Sequence, residues 1–391
     1  MTNSINELSN KAPIILTWVP RVHGASLPDG KNSRLNYLDI IKNHKLKNEE
    51  ERDIYLIING PGFKQSQIDN LKRELKEIKG VHVVDLHQYD WSEIDEGWKI
   101  DGKDISIKDF FKNMYNMSEE QRIYFAIEID TFRLIALALS EKMTGEKGAI
   151  YIDFDSLKAI DTHIGKDITI PEGILLGWVR VAVNNSGKIF LTLSNNDLIA
   201  ISDSSVAAGV LSEYKDKILS QKEMCSDIKQ RLPLLLDEQL DQEFEKSREQ
   251  EEIAEDEIEI MDILDEEMKE IIKEVANKYL NDLEKRGIKA LYDMRTENFR
   301  YLNSTYHGCS STGFNLGHVH IQMLVEKGLA GQEKSKMKSF VFRENNGNYS
   351  VVLENSDLSW TKGDFLYNQQ VDENLEETEV DQVAMKNLSL T

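Results

Sequence analysis

The sequence predicts an α/β fold in which a mixed sheet is flanked by helices. Short apolar runs rich in β-branched residues alternate with helical runs early in the chain, as is typical of a parallel sheet. Farther along, Asn184-Asn-Ser-Gly187 joins two apolar runs and is a strong hairpin signal, which adds antiparallel strands. Between these regions, Tyr151-Ile-Asp-Phe-Asp155 places two carboxylates at the end of an apolar strand. Open α/β sheets hold their ligands at such strand ends.

The first part of the chain alternates between strands and helices. Three strands are predicted, at 14–18, 53–59 and 81–85. The second of them is stopped by Gly60-Pro-Gly62. Two helices are predicted between the strands, over 32–51 and 65–78. The second helix has Ile68, Leu71 and Leu75 at helical spacing, which indicates one apolar face.

The next part of the chain contains the carboxylate strand. A long helix is predicted from Glu119 to Met143, ended around Gly145. The apolar strand at 148–152 follows it and leads directly into the two aspartates. The hairpin is then predicted to join strands at 177–183 and 188–193.

Charge and composition divide the chain into regions. The main α/β domain is predicted to cover 1–205 and 291–368, and residues 206–290 are predicted to form a helical, acidic insertion. Within 237–270 there are 17 acidic and three basic residues, a net charge of −14, which leaves −8 of the total −22 for the rest. This segment is interpreted as a solvated insertion, with a partner-docking arm as the alternative. Residues 369–391 are predicted to form a flexible acidic tail.

Composition also excludes several classes of protein. A net charge of −22 over 391 residues argues against nucleic acid as a partner. The two cysteines, Cys225 and Cys309, form neither a disulfide framework nor a metal-ligand spacing. No integral membrane segment and no cleaved signal peptide are predicted. These features favour a protein that is cytoplasmic in its producer.

Asp153 and Asp155 are the central candidates for a functional site. Clustered carboxylate oxygens are the ligands that hard divalent cations prefer, so the pair predicts a site for Mn²⁺ or Mg²⁺. A cation held in this way also binds a diphosphate. An Asp-x-Asp triplet in so acidic a chain also arises by chance, so its neighbours must support the interpretation.

Three other elements carry candidate residues. Asp130 and Arg133 lie three residues apart on the predicted helix, so they share a face and form either a structural ion pair or a grip on a ligand. Trp18 ends the first strand and is either a core residue or a platform for a base. The run from Asn355 to Trp360 is either a plain polar loop beside a tryptophan or a loop of metal ligands.

Together these elements resemble the GT-A glycosyltransferases typified by the large clostridial glucosylating toxins, with relatives among bacterial effector glycosyltransferases. That family has a strand ending in Trp, a helix with Asp-x-x-Arg, a strand with Tyr-x-Asp-x-Asp, and a late loop of metal ligands with a Trp. The same order occurs here in Trp18, Asp130 and Arg133, 151–155, and 355–360. The resemblance implies a Rossmann-like GT-A sheet and a DxD motif.

The resemblance also implies roles for single residues. Trp18 would stack on the uracil of a UDP-sugar, and Tyr151 and Asp153 would contact its ribose and sugar. Asp130 and Arg133 would hold hydroxyls of the donor sugar. Asp155 would bind the metal directly. The remaining roles fall on the late loop, where Trp360 would contact the diphosphate and further metal ligands would come from Asn355, Asp357 and Ser359.

Three hypotheses about function follow. The first is a metal-dependent glycosyltransferase that moves glucose or N-acetylglucosamine from UDP to a host protein, as a toxin or effector delivered to the host cytosol without a cleaved signal. Retention at the anomeric carbon is implied by the resemblance. The second hypothesis keeps the UDP-sugar site but has a glycan or lipid acceptor. The third is a non-enzymatic scaffold that uses the acidic helical arm.

Overall fold

The structure of the protein is a computed structural model. It describes residues 5–30, 35–159, 163–164, 168–171, 174–183, 189–212, 215–216, 218–230, 270, 273–274, 277–278 and 280–288. The predicted ligand loop at 355–360 and the predicted tail at 369–391 lie outside the described residues. Within the described residues, no helix has the length and apolar character needed to cross a membrane.

A six-stranded mixed sheet forms the centre of the fold. Strands are numbered in chain order as β1 Ile5–Leu8, β2 Ile14–Trp18, β3 Ile54–Ile58, β4 Val81–Asp85, β5 Trp98–Ile100, β6 Lys103–Ile105, β7 Ala149–Ile152, β8 Ile168–Pro171, β9 Ile174–Val183 and β10 Ile189–Ile201. The central sheet has the order β4-β3-β2-β7-β10-β9. Its first four strands are parallel, whereas β10 pairs antiparallel with both β7 and β9. This confirms the predicted mixed sheet, and it is consistent with a Rossmann-like GT-A fold.

Helices cover both faces of the sheet. They are α1 Tyr37–Lys47, α2 Gln65–Leu75, α3 Ser92–Asp95, α4 Ile107–Asn113, α5 Phe125–Ala138, α6 Ser140–Thr144, α7 Phe154–Ala159 and α8 Ser204–Ser212. Side chains of α1, α2 and α7 share one buried cluster with Ile14, Leu16 and Ile150. Side chains of α4, α5 and α8 share the other cluster with Ile15 and Tyr151. Because side chains alternate along a strand, β2, β3, β7 and β10 each contribute side chains to both cores.

Two predicted helices are longer than the observed ones. The helix predicted over 32–51 begins only at Tyr37, because the Asn36 side chain accepts a hydrogen bond from the Asp39 backbone N–H at 3.1 Å and caps the first turn. The second predicted helix ends at Leu75 instead of 78, where the Ile78 N–H bonds to the Leu75 carbonyl in a turn before β4.

The continuous helix predicted over 119–143 is wrong. The chain forms a short 3₁₀ turn at Glu119–Gln121, and α5 begins only at Phe125. The backbone between them pairs elsewhere: Ile123 forms a β-bridge with Ser220, and the Gln221 N–H donates to the Arg122 carbonyl at 2.8 Å. These long-range hydrogen bonds replace the helical ones. The predicted stop at Gly145 is confirmed, since that residue has the left-handed conformation that glycine favours at a helix end.

The start of the predicted insertion packs on the sheet. Helix α8 packs against α5, and Ala207, Val210 and Leu211 belong to the same buried cluster as the sheet. A further helix covers 221–230. Residues 231–269 and 289–391 lie outside the described residues, so the domain boundaries stay predictions.

Arg122 links the chain after β2 to the start of α5. Its guanidinium contacts both carboxylate oxygens of Glu128, with an Nε–Oε1 distance of 3.0 Å, and donates to the Arg21 carbonyl at 2.7 Å. Glu128 is fully buried, and this desolvation raises its pKa above the ordinary value although Arg122 opposes the shift. Loss of either partner would leave a buried charge uncompensated.

A second polar cluster connects β3 and β4 at their carboxyl ends. The buried Asn59 side chain donates to the Phe111 carbonyl and to the Tyr115 hydroxyl, and its Oδ1 accepts from His87 Nε2 at 2.7 Å. His87 also stacks on Trp91. Burial is the main cause that lowers the pKa of His87 to about 4, so its ring is neutral at pH 7.

We expect His87 to make the fold sensitive to acid. Its pKa is about 4 in the folded protein and about 6.5 in an unfolded chain, so the unfolded state binds more protons between these values and stability falls as pH drops through this window. The expected loss is about 1–3 kcal/mol, given the partial exposure of the ring. Urea unfolding of the wild type and of His87→Gln from pH 7 to pH 4 measures it. An identical pH slope in both proteins would contradict the assignment.

Candidate active site

The candidate site lies where the strand order of the sheet reverses. From β2 the chain moves outward to β3 and β4, and it then returns to the other side of β2 to form β7. The carboxyl ends of β2 and β7 therefore flank the reversal point, which is the usual ligand site of open α/β sheets. Trp18 is the last residue of β2, and Asp153 directly follows β7.

Four of the predicted site residues are brought together on the α5 side of the sheet. Arg133 is buried, and its Nη2 lies 3.1 Å from Asp130 Oδ1 and 3.6 Å from Asp153 Oδ1. Its guanidinium also lies over the Tyr151 ring, 4.8 Å from the ring centre. The Tyr151 hydroxyl donates to Asp153 Oδ1. The Asp-x-x-Arg pair of α5 is thus joined to the aspartate strand through Arg133.

The electrostatics of this cluster keep the Tyr151 hydroxyl neutral. Burial, with the added effect of Asp153, raises the pKa of the Tyr151 hydroxyl well above its ordinary value, although Arg133 acts in the opposite direction. The hydroxyl therefore stays protonated and remains a donor. Asp130 and Asp153 are only about one quarter exposed, at 25% and 22% of their side-chain area, so each presents a limited surface to a ligand.

Asp155 occupies a different position from Asp153. It lies in the first turn of α7, where its Oδ1 accepts a hydrogen bond from the Ser156 N–H at 2.9 Å. Its side chain is half-buried. No lysine or arginine within the described residues forms a salt bridge with it, in contrast to Asp153. Of the two carboxylates, Asp155 is the one with an uncompensated charge in this part of the protein.

Trp18 lies on the opposite face of the sheet from Tyr151. The register pairs Ile15 with Tyr151, so Trp18 falls in the alternate set that faces α1 and α7. It is 8% exposed and meets Tyr37 edge-on at 5.1 Å between ring centres. Its buried indole Nε1 has no hydrogen-bond partner among the described residues. The stacking role predicted for Trp18 stays a prediction.

Three residues of the site gave no clear signal in the sequence. Thr17 lies on the neighbouring strand and on the same face of the sheet as Tyr151, and a polar residue in an otherwise apolar strand was the available clue. Tyr37 and Phe154 stack at 3.9 Å with an interplanar angle of 17° beside Trp18. Their contact depends on how α1 and α7 pack, which no local pattern reveals.

The donor set fits a hard cation only in part. Carboxylate oxygens of Asp153 and Asp155 are of the type that Mn²⁺ and Mg²⁺ prefer. Within the described residues, however, no group of three or more His, Cys, Asp and Glu side chains is arranged to hold a metal. The other predicted ligands lie outside the described residues, as does the predicted diphosphate contact: Asn355, Asp357, Ser359 and Trp360.

Comparisons with known proteins give similarities of overall structure only. Neither the protein-family models nor the curated proteins include a match to this sequence. Among solved structures, one of a transferase has a TM-score of 0.37 at 16% identity, over 55% of this chain and 81% of that one. The bacterial N-acetylglucosamine transferase NleB has a TM-score of 0.35 at 16% identity, over 55% and 84%. The PaToxG glycosyltransferase has a TM-score of 0.32 at 14% identity, over 55% and 61%.

We expect the Tyr151 hydroxyl to stabilise the site measurably. Tyr151→Phe removes the hydrogen bond to Asp153 and leaves that carboxylate half-buried with fewer partners. The free energy of unfolding should fall by about 1–3 kcal/mol, as for a hydrogen bond to a charged group. Urea denaturation checks this, with Tyr55→Phe in β3 as the matched control, expected to change it by less than about 0.5 kcal/mol. Equal effects of the two substitutions would contradict the role given to Tyr151.

Proposed function

We propose that the protein is a metal-dependent glycosyltransferase that moves a sugar from a UDP-sugar to a protein acceptor. The observation that carries the proposal is that Asp153 and Asp155 lie together at the strand-order reversal in different environments. Arg133 and Tyr151 anchor Asp153, whereas Asp155 forms no salt bridge with any described residue. The two carboxylates lie at the carboxyl ends of the strands but in different environments, which suits two different tasks. Asp153 would bind sugar or ribose hydroxyls, and Asp155 would bind a cation.

The anchored cluster is suited to binding hydroxyl groups. Asp130 and Asp153 are carboxylates that accept hydrogen bonds, and Arg133 between them donates. Because Arg133 and the Tyr151 hydroxyl hold Asp153 in place, its oxygens are oriented before a donor arrives, which lowers the entropy cost of binding. On the other face, the buried Nε1 of Trp18 is a donor suited to an acceptor atom of a nucleobase.

Asp155, together with the predicted ligands at 355–359, would hold Mn²⁺ or Mg²⁺. Such a cation, when bound, neutralises the charge that develops on a leaving diphosphate. The side chains of this site position the sugar and its hydroxyls, and none of them needs to act as a nucleophile. We propose glucose or N-acetylglucosamine as the sugar, retention as the anomeric outcome, and a host protein reached without a cleaved signal as the acceptor.

Removal of either carboxylate should abolish turnover. We expect Asp155→Ala and Asp153→Ala to lower metal-dependent release of UDP from a UDP-sugar by about 100-fold or more, since charge placement supplies most of the rate in such a site. A screen of UDP-sugars with added Mn²⁺ or Mg²⁺, read by UDP release, gives the measurement. The control is Asp104→Asn on β6, an aspartate with 89% exposure, which should retain full activity.

Full activity in the Asp153→Ala, Asp155→Ala double variant would refute the proposal.

A second assay distinguishes a protein acceptor from a glycan or lipid acceptor. Eukaryotic lysate incubated with a labelled UDP-sugar should carry label on a discrete protein band if the acceptor is a host protein. Label confined to lipid or polysaccharide would refute the protein acceptor but retain the sugar-nucleotide site.

A further inference from the structure

A buried carboxylate far from the aspartates holds the chain that follows them. Glu50 lies just beyond α1 and is 4% exposed. Its Oε2 accepts hydrogen bonds from His44 Nε2 at 3.0 Å and from the Ile164 backbone N–H at 2.7 Å. Its Oε1 accepts from the Arg52 backbone N–H at 3.1 Å. One carboxylate therefore joins α1, the approach to β3 and the chain beyond α7.

This contact and a ring stacking contact attach the segment carrying Asp155 to α1. At the start of α7, the Phe154 ring stacks on Tyr37, the first residue of α1. Beyond its end, the Ile164 N–H is bound by Glu50, close to the end of α1. Helices α1 and α7 also pack against each other. The chain from Phe154 to Ile164 is thus attached to α1 at both of its ends.

The position of Glu50 is itself fixed by the surrounding network. Arg52 Nη1 donates to the Ser9 carbonyl at 2.7 Å and to the Ala12 carbonyl at 2.8 Å, which connects the network to the chain before β2. Burial tends to raise the pKa of Glu50, but the hydrogen bonds from His44, Ile164 and Arg52 outweigh it and hold that pKa below its ordinary value. Glu50 is therefore a charged, rigidly held acceptor at neutral pH.

We propose that Glu50 is a positioning residue for the aspartate segment, because it fixes the far end of the chain whose near end carries Asp155. The direction of the Asp155 carboxylate depends on the placement of α7, since the residue lies in the first turn of that helix. Without Glu50, the Ile164 N–H loses its acceptor, and the chain beyond α7 loses this attachment to α1. The part of this inference that concerns the cation rests on the proposed function.

The experiment compares Glu50→Gln with a chemically matched control. Glutamine keeps the size of the side chain, but only one of its two terminal atoms is an acceptor, so the three donors around Glu50 are no longer all satisfied. The control is Asp95→Asn, which makes the same change in a carboxylate that accepts from Ser106 Oγ and the Lys108 N–H in α4, away from α7. Tyr37→Leu removes the stacking of Tyr37 on Phe154 and so tests the attachment at the start of α7. It takes the place of Glu50→Gln if the Glu50→Gln protein does not fold.

Two readouts are taken on the full-length protein. Amide hydrogen exchange of residues 153–159 should speed up about tenfold or more in Glu50→Gln and in Tyr37→Leu, and it should be unchanged in Asp95→Asn. Calorimetric titration with Mn²⁺ in the presence of UDP should show affinity lowered about 10- to 100-fold in the first two variants, the range typical of residues that orient metal ligands. Wild-type exchange rates over 153–159 in a folded Glu50→Gln variant would overturn the proposal.

The two readouts separate this inference from the proposed function. If the wild-type protein binds no Mn²⁺ with UDP, the proposed function fails, and the exchange measurement still decides whether Glu50 fixes the segment. If exchange accelerates as expected but Mn²⁺ affinity is unchanged in both test variants, the positioning of Asp155 toward a cation is overturned. The proposal is supported if Glu50→Gln and Tyr37→Leu show faster exchange and weaker Mn²⁺ binding while Asp95→Asn shows neither.

Discussion

The parallel pairing of β2 with β7 determines which side chains meet at the candidate site. Ile14 lies opposite Ile150 and Ile15 opposite Tyr151, so Tyr151 and Thr17 face α5. A shift of one residue in this register would turn Tyr151 toward α1 and separate it from Arg133. The pairing is held by apolar side chains that are fully buried on both faces, and the polar cluster therefore depends on the two cores for its geometry.

The polar cluster around Arg133 lies next to the carboxyl end of β7. Arg133 lies within α5 among buried apolar residues, and it contacts Asp153 directly after the end of β7. A buried guanidinium is costly to desolvate, and here it contacts two carboxylates and an aromatic face. Such an arrangement fixes geometry more than it adds stability, which is the property that a ligand site requires.

Local patterns predicted the strands and the residues of the site, but not their long-range partners. The strands, the helices and the motifs that contain Asp130, Arg133 and Asp153 are visible in short stretches of sequence. The break before α5 is not visible in this way, because it is caused by the pairing of Ile123 with the distant Ser220. In the same way, Glu50 and Ile164 are 114 positions apart. Contacts between distant segments carry no local periodicity, so a single sequence does not reveal them.

The bond from Arg122 to the Arg21 carbonyl has a mechanical consequence. The chain leaving Trp18 is connected through Arg122 to Glu128, two residues before Asp130 on α5. Trp18 on one face of the sheet and Asp130 with Arg133 on the other are therefore connected through a short chain of hydrogen bonds as well as through the sheet. A molecule that contacted both Trp18 and Arg133 would therefore meet two surfaces whose separation is set by these hydrogen bonds.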